Sequence, residues 1–198
     1  MQTITALFDD RDDASDAVGE LESMGVPTSD ISVVAGNAND RHENTLSPAG
    51  ENAAAGAGIG AVVGGAGGLM TGLGTIAIPG LGPIVAAGWL AATAAGAVAG
   101  AVVGGVAGGI VGALTEAGVP EKDAHVYAEG VRRGGTLVTA RVEDDLASKA
   151  REILHRPNSV DIAERRGEYE AGGWAAFNPT AGDYIEDIKR DTVRRSDL

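Results

Sequence analysis

Residues 53–78 read AAAGAGIGAVVGGAGGLMTGLGTIAI and residues 84–114 read IVAAGWLAATAAGAVAGAVVGGVAGGIVGAL, with Pro79-Gly80-Leu81-Gly82-Pro83 between them. Both belong to a run of 64 residues between Glu51 and Glu116 without a charge. Small residues recur there at every fourth position. Gly56, Gly60, Gly64, Gly68 and Gly72 form one row; Gly88, Ala92, Gly96, Gly100, Gly104, Gly108 and Gly112 form another. A step of four returns to nearly the same face of an α-helix, so each row makes a smooth stripe where a second backbone can approach. The prolines and glycines between the rows cannot continue a helix. The pattern predicts a glycine-zipper helical hairpin over residues 53–118, with the rows as its helix-packing interface.

Two environments suit such a hairpin. On the first helix Ile59, Val62, Val63, Leu69, Met70, Leu73 and Ile76 gather opposite the glycines, and neither face is polar. A helix on the surface of a globular protein shows charge on one side. The 17 glycines in the two segments each cost about 0.8–1 kcal/mol against Ala in water. That penalty loses force in a bilayer, where an unpaired backbone is worse than any helix. At 1.5 Å per residue the helices would run about 39 and about 46 Å, longer than the roughly 30 Å hydrocarbon core. One expectation is therefore a tilted hairpin in the cytoplasmic membrane. Lys122, Arg132 and Arg133 keep both termini in the cytoplasm, and Trp89 lies toward the far interface or is an ordinary packed indole. The other is a cytoplasmic homo-oligomer (a shell, filament or coat) with the hairpins sealed inside.

The flanks read as two halves of one α+β domain. Thr3–Phe8 alternates as a strand, with Ile4, Ala6 and Phe8 on one face. Asp12 or Asp13 caps a helix with Ala14, Ala17, Val18 and Leu21 inward, and Ile31–Val34 is a second strand. Beyond the block, Gly118-Val119-Pro120 opens a helix over 121–133 that buries Ala124, Tyr127, Ala128 and Val131. Thr136–Val142 is a strand, Asp144 or Asp145 caps a helix bearing Leu146, Ala150, Ile153 and Leu154, and Val160–Ala163 closes the set. Two split βαβ units predict a ferredoxin-like sandwich whose halves, 1–52 (with a polar linker) and 119–166, pair across the insertion. Residues 167–198 read as a tail. Trp174, Phe177, Tyr184 and Ile188 are its docking side chains, expected to reach a neighbouring subunit unless Trp174 folds back on its own domain.

Composition narrows the chemistry. The net charge is −13, and residues 1–52 hold 11 acidic against 2 basic side chains. Such a face does not neutralise phosphates, so no nucleic-acid partner is expected. There are no cysteines, which removes thiolate catalysis and Cys-ligated metals. Met1–Asp10 has neither the basic nor the apolar region of a secretory signal. His42, His125 and His155 lack ligand spacing. Gly72-Leu73-Gly74-Thr75-Ile76-Ala77 spells a dinucleotide fingerprint without a preceding strand. Asp9, Asp10, Asp12 and Asp13 suit helix capping better than a cation. No catalytic residue, cofactor, metal or small-molecule substrate is expected.

Three stretches together resemble a known family: Thr5-Ala6-Leu7-Phe8-Asp9-Asp10, Ile78-Pro79-Gly80-Leu81-Gly82-Pro83 within the Gly/Ala-rich middle, and Tyr127-Ala128-Glu129-Gly130-Val131-Arg132-Arg133-Gly134-Gly135 before a strand. Over residues 3–165 the chain is similar to the bacterial general-stress, heat-induced protein domain of the YflT type. The resemblance implies a link to stress responses and no enzymatic activity, cofactor or catalytic residue. The expectation is a non-enzymatic stress-response protein, anchored by its hairpin and self-associating.

Overall fold

A computed structural model of the chain describes residues 1–36, 74–78, 81–90, 93, 109–181 and 184, residues 74–78 and 82–85 by their backbone alone. Strand β1 (Gln2–Phe8) leads into helix α1 (Arg11–Ser23), a 3-10 turn (Thr28–Asp30) and strand β2 (Ile31–Gly36). Strands β3 (Gly74–Ile78) and β4 (Gly82–Ala87) come next. Helices α2 (Ile110–Glu116) and α3 (Glu121–Arg132), strand β5 (Thr136–Val142), and helices α4 (Ala147–Leu154) and α5 (Ile162–Ala171) complete the described elements.

The strands form one antiparallel sheet in the order β1-β5-β2-β4-β3. Strand β5 lies between β1 and β2, with Val138 opposite Ala6 on one side and Val33 on the other. The two flanks of the insertion thus close into a single α+β domain, and neither has a sheet without the other.

Alternation along the strands supplies two cores. Ile4, Ala6, Phe8, Ile31, Val33, Val138, Ala140 and Val142 meet Ala14, Ala17, Val18 and Leu21 of α1 and Ala150, Ile153 and Leu154 of α4. On the opposite face, Leu7, Val34, Ala86 and Leu137 meet Leu114 of α2 and Ala124, Tyr127, Ala128 and Val131 of α3. Period two in the strands and period 3.6 in the helices put these residues on facing surfaces. Each fully buried Leu or Val is worth about 1.5–3 kcal/mol over leaving it in water.

The middle of the uncharged block departs from expectation. Its turn falls where the prolines and glycines put it, but the flanking residues 74–78 and 82–87 are strands, not helix ends. Strand β4 pairs with β2 from Val33↔Ala87 to Gly36↔Ile84, and the ladder stops before Pro83, which has no N–H to give. Gly88 cannot serve a helix-packing row. Its φ is +92°, and a Cβ there would stand 2.3 Å from the Ile31 carbonyl oxygen. Gly112 does lie in a helix, α2. Gly56, Gly60, Gly64, Gly68, Gly72, Ala92, Gly96, Gly100, Gly104 and Gly108 lie outside the described residues. Trp89 packs on the domain rather than at a distant hairpin tip: its indole Nε1 donates to the Asp30 carbonyl at 3.3 Å.

Three smaller differences have local causes. Helix α1 is capped by Asp10, whose Oδ1 accepts from the Asp12 N–H at 2.7 Å. Asp144 is not a cap, because it accepts instead from the N-terminal ammonium and the Gln2 amide. The closing strand at Val160–Ala163 is reduced to one bond, Val160 N–H to the Leu7 carbonyl at 2.8 Å. Asp161 then caps α5 through the Ala163 and Glu164 amides, and that helix runs across the expected boundary between domain and tail.

Candidate functional site

A dense polar cluster lies at the end of α3. Glu129 is 1% exposed, and its carboxylate faces two guanidinium groups of its own helix. Arg132 donates through Nε to Oε2 at 2.9 Å and through Nη2 to Oε1 at 2.8 Å. Arg133 donates through Nε to Oε1 at 2.7 Å. Residues three and four apart share one helical face, so the sequence order Glu-Gly-Val-Arg-Arg builds this clamp by itself.

Aromatic rings from the end of the chain cover the clamp. The Arg133 guanidinium lies 4.1 Å from the Tyr169 ring centroid and 5.0 Å from that of Tyr184. Arg132 stands 5.1 Å from Tyr184, and Trp174 meets Tyr169 edge-on at 5.6 Å. Burial pushes the Tyr169 phenol upward, opposed by the nearby Arg165 and Arg133 charges. Phe177 is 7% exposed, inside the core that α2 and α3 share. The tail residues Trp174, Phe177 and Tyr184 therefore dock on their own chain; Ile188 lies outside the described residues.

Ion pairs seat α5 against the rest. Arg165 grips Asp9 with bonds of 2.9 and 2.6 Å and also reaches Glu168 at 3.1 Å. The Arg165 bond holds the Asp9 carboxyl below its usual range despite partial burial. Arg166 pairs with Asp123 of α3, and the Tyr127 hydroxyl of α3 donates to the Thr5 carbonyl at 3.1 Å. Burial, with Asp123 adding to it, pushes the Tyr127 phenol well above its ordinary range.

A second cluster ties the β3–β4 hairpin to the sheet. Arg141 of β5 stacks 4.5 Å over the Trp89 ring and pairs with Asp30 at 3.0 Å. The Ser32 hydroxyl donates to the Ala87 carbonyl at 2.8 Å.

The Arg132 and Arg133 bonds to Glu129 tie together side chains at one helix end. Among the described residues, no group of His, Asp and Glu is placed to hold a metal ion. Of the acidic run, Asp9 is spent on Arg165 and Asp10 on the cap of α1. His125 lies near Glu121 at 4.0 Å. His155 is a separate group whose pKa is pulled below 6.5 by partial desolvation and by Arg151. A groove of about 410 Å³ between α1 and the end of α4 contains Glu20 and Arg156, which pair with each other. Among the described residues, no helix is long and apolar enough to cross a membrane.

In the sequence, Glu129 stood out only within the family resemblance, and Arg132 and Arg133 there and as cytoplasmic-side charges; the clamp they form was not foreseen. The signal was present: a Glu with Arg at the third and fourth following positions, just before paired glycines. The Trp89–Arg141–Asp30 cluster had no local signal, since it joins three distant segments. No family model matches the chain, and no curated protein or solved structure matches it.

Proposed function

We propose that this is a non-enzymatic bacterial stress-response protein that works by self-association, its α+β domain presenting two small-residue segments to other copies. The observation that carries the reading is the pairing of β4 with β2. It ties the middle of the uncharged block into the sheet. Residues 37–73 leave from β2 and return at β3; residues 91–109 leave after Leu90 and return at Ile110. One bilayer crossing takes about 20 residues. The apolar stretch 53–73 supplies 21 and the stretch 91–109 supplies 19. Each offers one crossing, where an excursion that returns to the same domain requires two. A homo-oligomeric shell, filament or coat, with the small-residue rows packed together, suits this connectivity better than a spanning hairpin. Membrane anchoring with both termini in the cytoplasm is the second reading. The uncharged run favours it, and it requires the β2–β4 ladder to open. The stress assignment rests on the resemblance in the three quoted stretches.

For the fold, β1-α1-β2 around β5 supports kinship with the ferredoxin-like sandwich. One of its two split units is complete. Helices on both faces of the sheet and the reduced closing strand depart from it.

The test combines extraction with sizing. The protein is expected to leave the membrane pellet in high salt or carbonate and to scatter, without detergent, as a monodisperse particle several times its 19.8 kDa. Gly64→Leu and Val63→Leu should then disrupt the particle comparably, because both faces meet protein. Retention in carbonate-washed membranes would favour the spanning hairpin, and a monomer at high concentration would remove self-association.

A further inference from the structure

We propose that the outer edge of β3 is a docking surface for β3 of a second copy, giving a closed two-fold dimer with one continuous sheet. The inference goes beyond the proposed self-association, because it needs no contact between the small-residue rows.

In an antiparallel ladder, residues alternate between bonding one neighbour and bonding the other. The Gly36 N–H donates to the Gly135 carbonyl at 3.1 Å, so Gly36 faces β5. Val33 and Ala35 then face β4, opposite Ala87 and Val85. Ile84 and Ala86 in turn face β3, opposite Ile76 and Gly74. That leaves the N–H and C=O groups of Thr75 and Ala77 on the outer edge, where no described residue pairs with β3.

Exposed edges are ordinarily guarded by charge, Pro or a bulge. The strand Gly74-Thr75-Ile76-Ala77-Ile78 has neither charge nor Pro, and the nearest charges in sequence are Glu51 and Glu116. The opposite edge of the sheet is guarded. On β1 the Leu7 carbonyl accepts from Val160 and the Thr5 carbonyl from Tyr127. A copy therefore cannot add its β3 to the β1 edge of the next, which would build an open fibre. Pairing of β3 with β3 remains, and that contact closes on itself.

The pairing also selects its register. Thr75 opposite Ala77 of the other copy, and Ala77 opposite its Thr75, satisfies all four outward groups. The two-fold axis then passes between the two Ile76 residues as a non-hydrogen-bonded pair. Their Cα atoms would be about 4.5 Å apart, inside the range of about 4.4–6.8 Å that a disulfide spans. Like residues at position 75 would sit on a diagonal of roughly 7–8 Å, too far for a disulfide. Edges of five residues bury far less than the roughly 1,000 Å² of a stable interface, so the contact alone is weak and calls for concentrated protein.

The chain has no cysteine, so single substitutions report cleanly. Ile76→Cys in the full chain, under mild oxidation at high concentration, should form a disulfide dimer at least tenfold faster than Thr75→Cys or the exposed helical control Glu152→Cys. Adding Ala77→Pro removes one outward donor without touching the β4 ladder. It should abolish the Ile76→Cys cross-link while leaving the thermal midpoint within about 3 °C. Cross-linking of Ile76→Cys no faster than the control overturns the proposal, as does a cross-link undiminished by Ala77→Pro. Protection of the Thr75 and Ala77 amides from hydrogen exchange in dilute, monomeric protein also overturns it, because a segment of the same chain then covers the edge. A large particle that persists through these failures leaves packing of the small-residue rows standing.

Discussion

Replacing Glu129 by Gln tests whether the clamp at the end of α3 holds the tail or merely accompanies it. The side chain keeps its size, so no cavity forms. One oxygen becomes an NH₂ group, which cannot accept, and it faces a guanidinium donor that loses that acceptor. Oε1 currently accepts from both arginines and Oε2 from Arg132 alone, so either orientation of the amide breaks at least one charged bond. Losing a hydrogen bond to a charged group costs about 1.5–3 kcal/mol. Breaking a buried ion pair outright costs about 3–5 kcal/mol, an upper bound here because the amide keeps one acceptor oxygen. Arg132 is 10% exposed and still has Tyr184 beside it, whereas Arg133 is 30% exposed and recovers part from water. The expected loss is about 3 kcal/mol, a large share of the 5–15 kcal/mol that usually holds a domain. With a urea slope of about 2 kcal/mol/M, the midpoint should fall by about 1.5 M. Fluorescence of Trp174, in a Trp89→Phe background, should report loosening of the tail at or before the main transition. A shift under about 0.3 M, with Trp174 unchanged, would refute the reasoning. The arginines would then be solvated without loss and the tail held by Phe177 alone.

Other consequences are quicker to check. Phe177→Ala should cost about 3 kcal/mol and lower the thermal midpoint of the dilute protein; a tail docked on a neighbour would leave that midpoint unchanged. Trp89→Leu should cost about 1–2 kcal/mol through loss of the Arg141 stacking and the Asp30 bond, seen as faster hydrogen exchange at Val33 and Ala35, which face β4. His155 has a folded-state pKa below 6.5, so the unfolded chain binds the extra proton and stability falls as pH drops through 6.5. His155→Gln should flatten that fall in urea titrations between about pH 7 and 5. Asp9 runs on the usual carboxylate sense: its lowered pKa adds stability above about pH 4 that is lost in more acid solution. Arg165→Met should remove that acid limb and leave the neutral-pH curve parallel to wild type.

Much of the domain was legible because its elements carry two kinds of residue. The inner face of α1 (Ala14, Ala17, Val18, Leu21), the face of α3 and strand β5 all stand out against charged neighbours, so the period can be counted. Inside the uncharged block that contrast is gone. A row of small residues four apart fits a helix, yet Thr75-Ile76-Ala77-Ile78 and Ile84-Val85 around a Pro/Gly turn also fit a hairpin. The pairing with β2 settles it in favour of strands, and no residue within the block encodes that partner. Helix α5 was missed for the opposite reason. It is almost wholly polar, burying only Tyr169, and it is fixed by Asp161 and by ion pairs with Asp9 and Asp123. The capping signal, Asp161 followed three residues later by Glu164, was readable. Of the two polar clusters, the one local in sequence was legible and the one joining Asp30, Trp89 and Arg141 was not.

The position of β5 between β1 and β2 has a consequence for synthesis. The strand that joins them, Thr136–Val142, leaves the ribosome about a hundred residues after Gly36. At the usual 5–20 residues per second that is a wait of roughly 5–20 s. Throughout it, β1 and β2 have no strand between them, and the entire uncharged run emerges before any partner for β1 exists. Closing so long a loop adds only a modest entropy cost, so the burden is one of timing. The nascent chain passes through a stage with apolar segments exposed and its central strand missing, when heat, crowding or a shortage of chaperones acts on it most strongly.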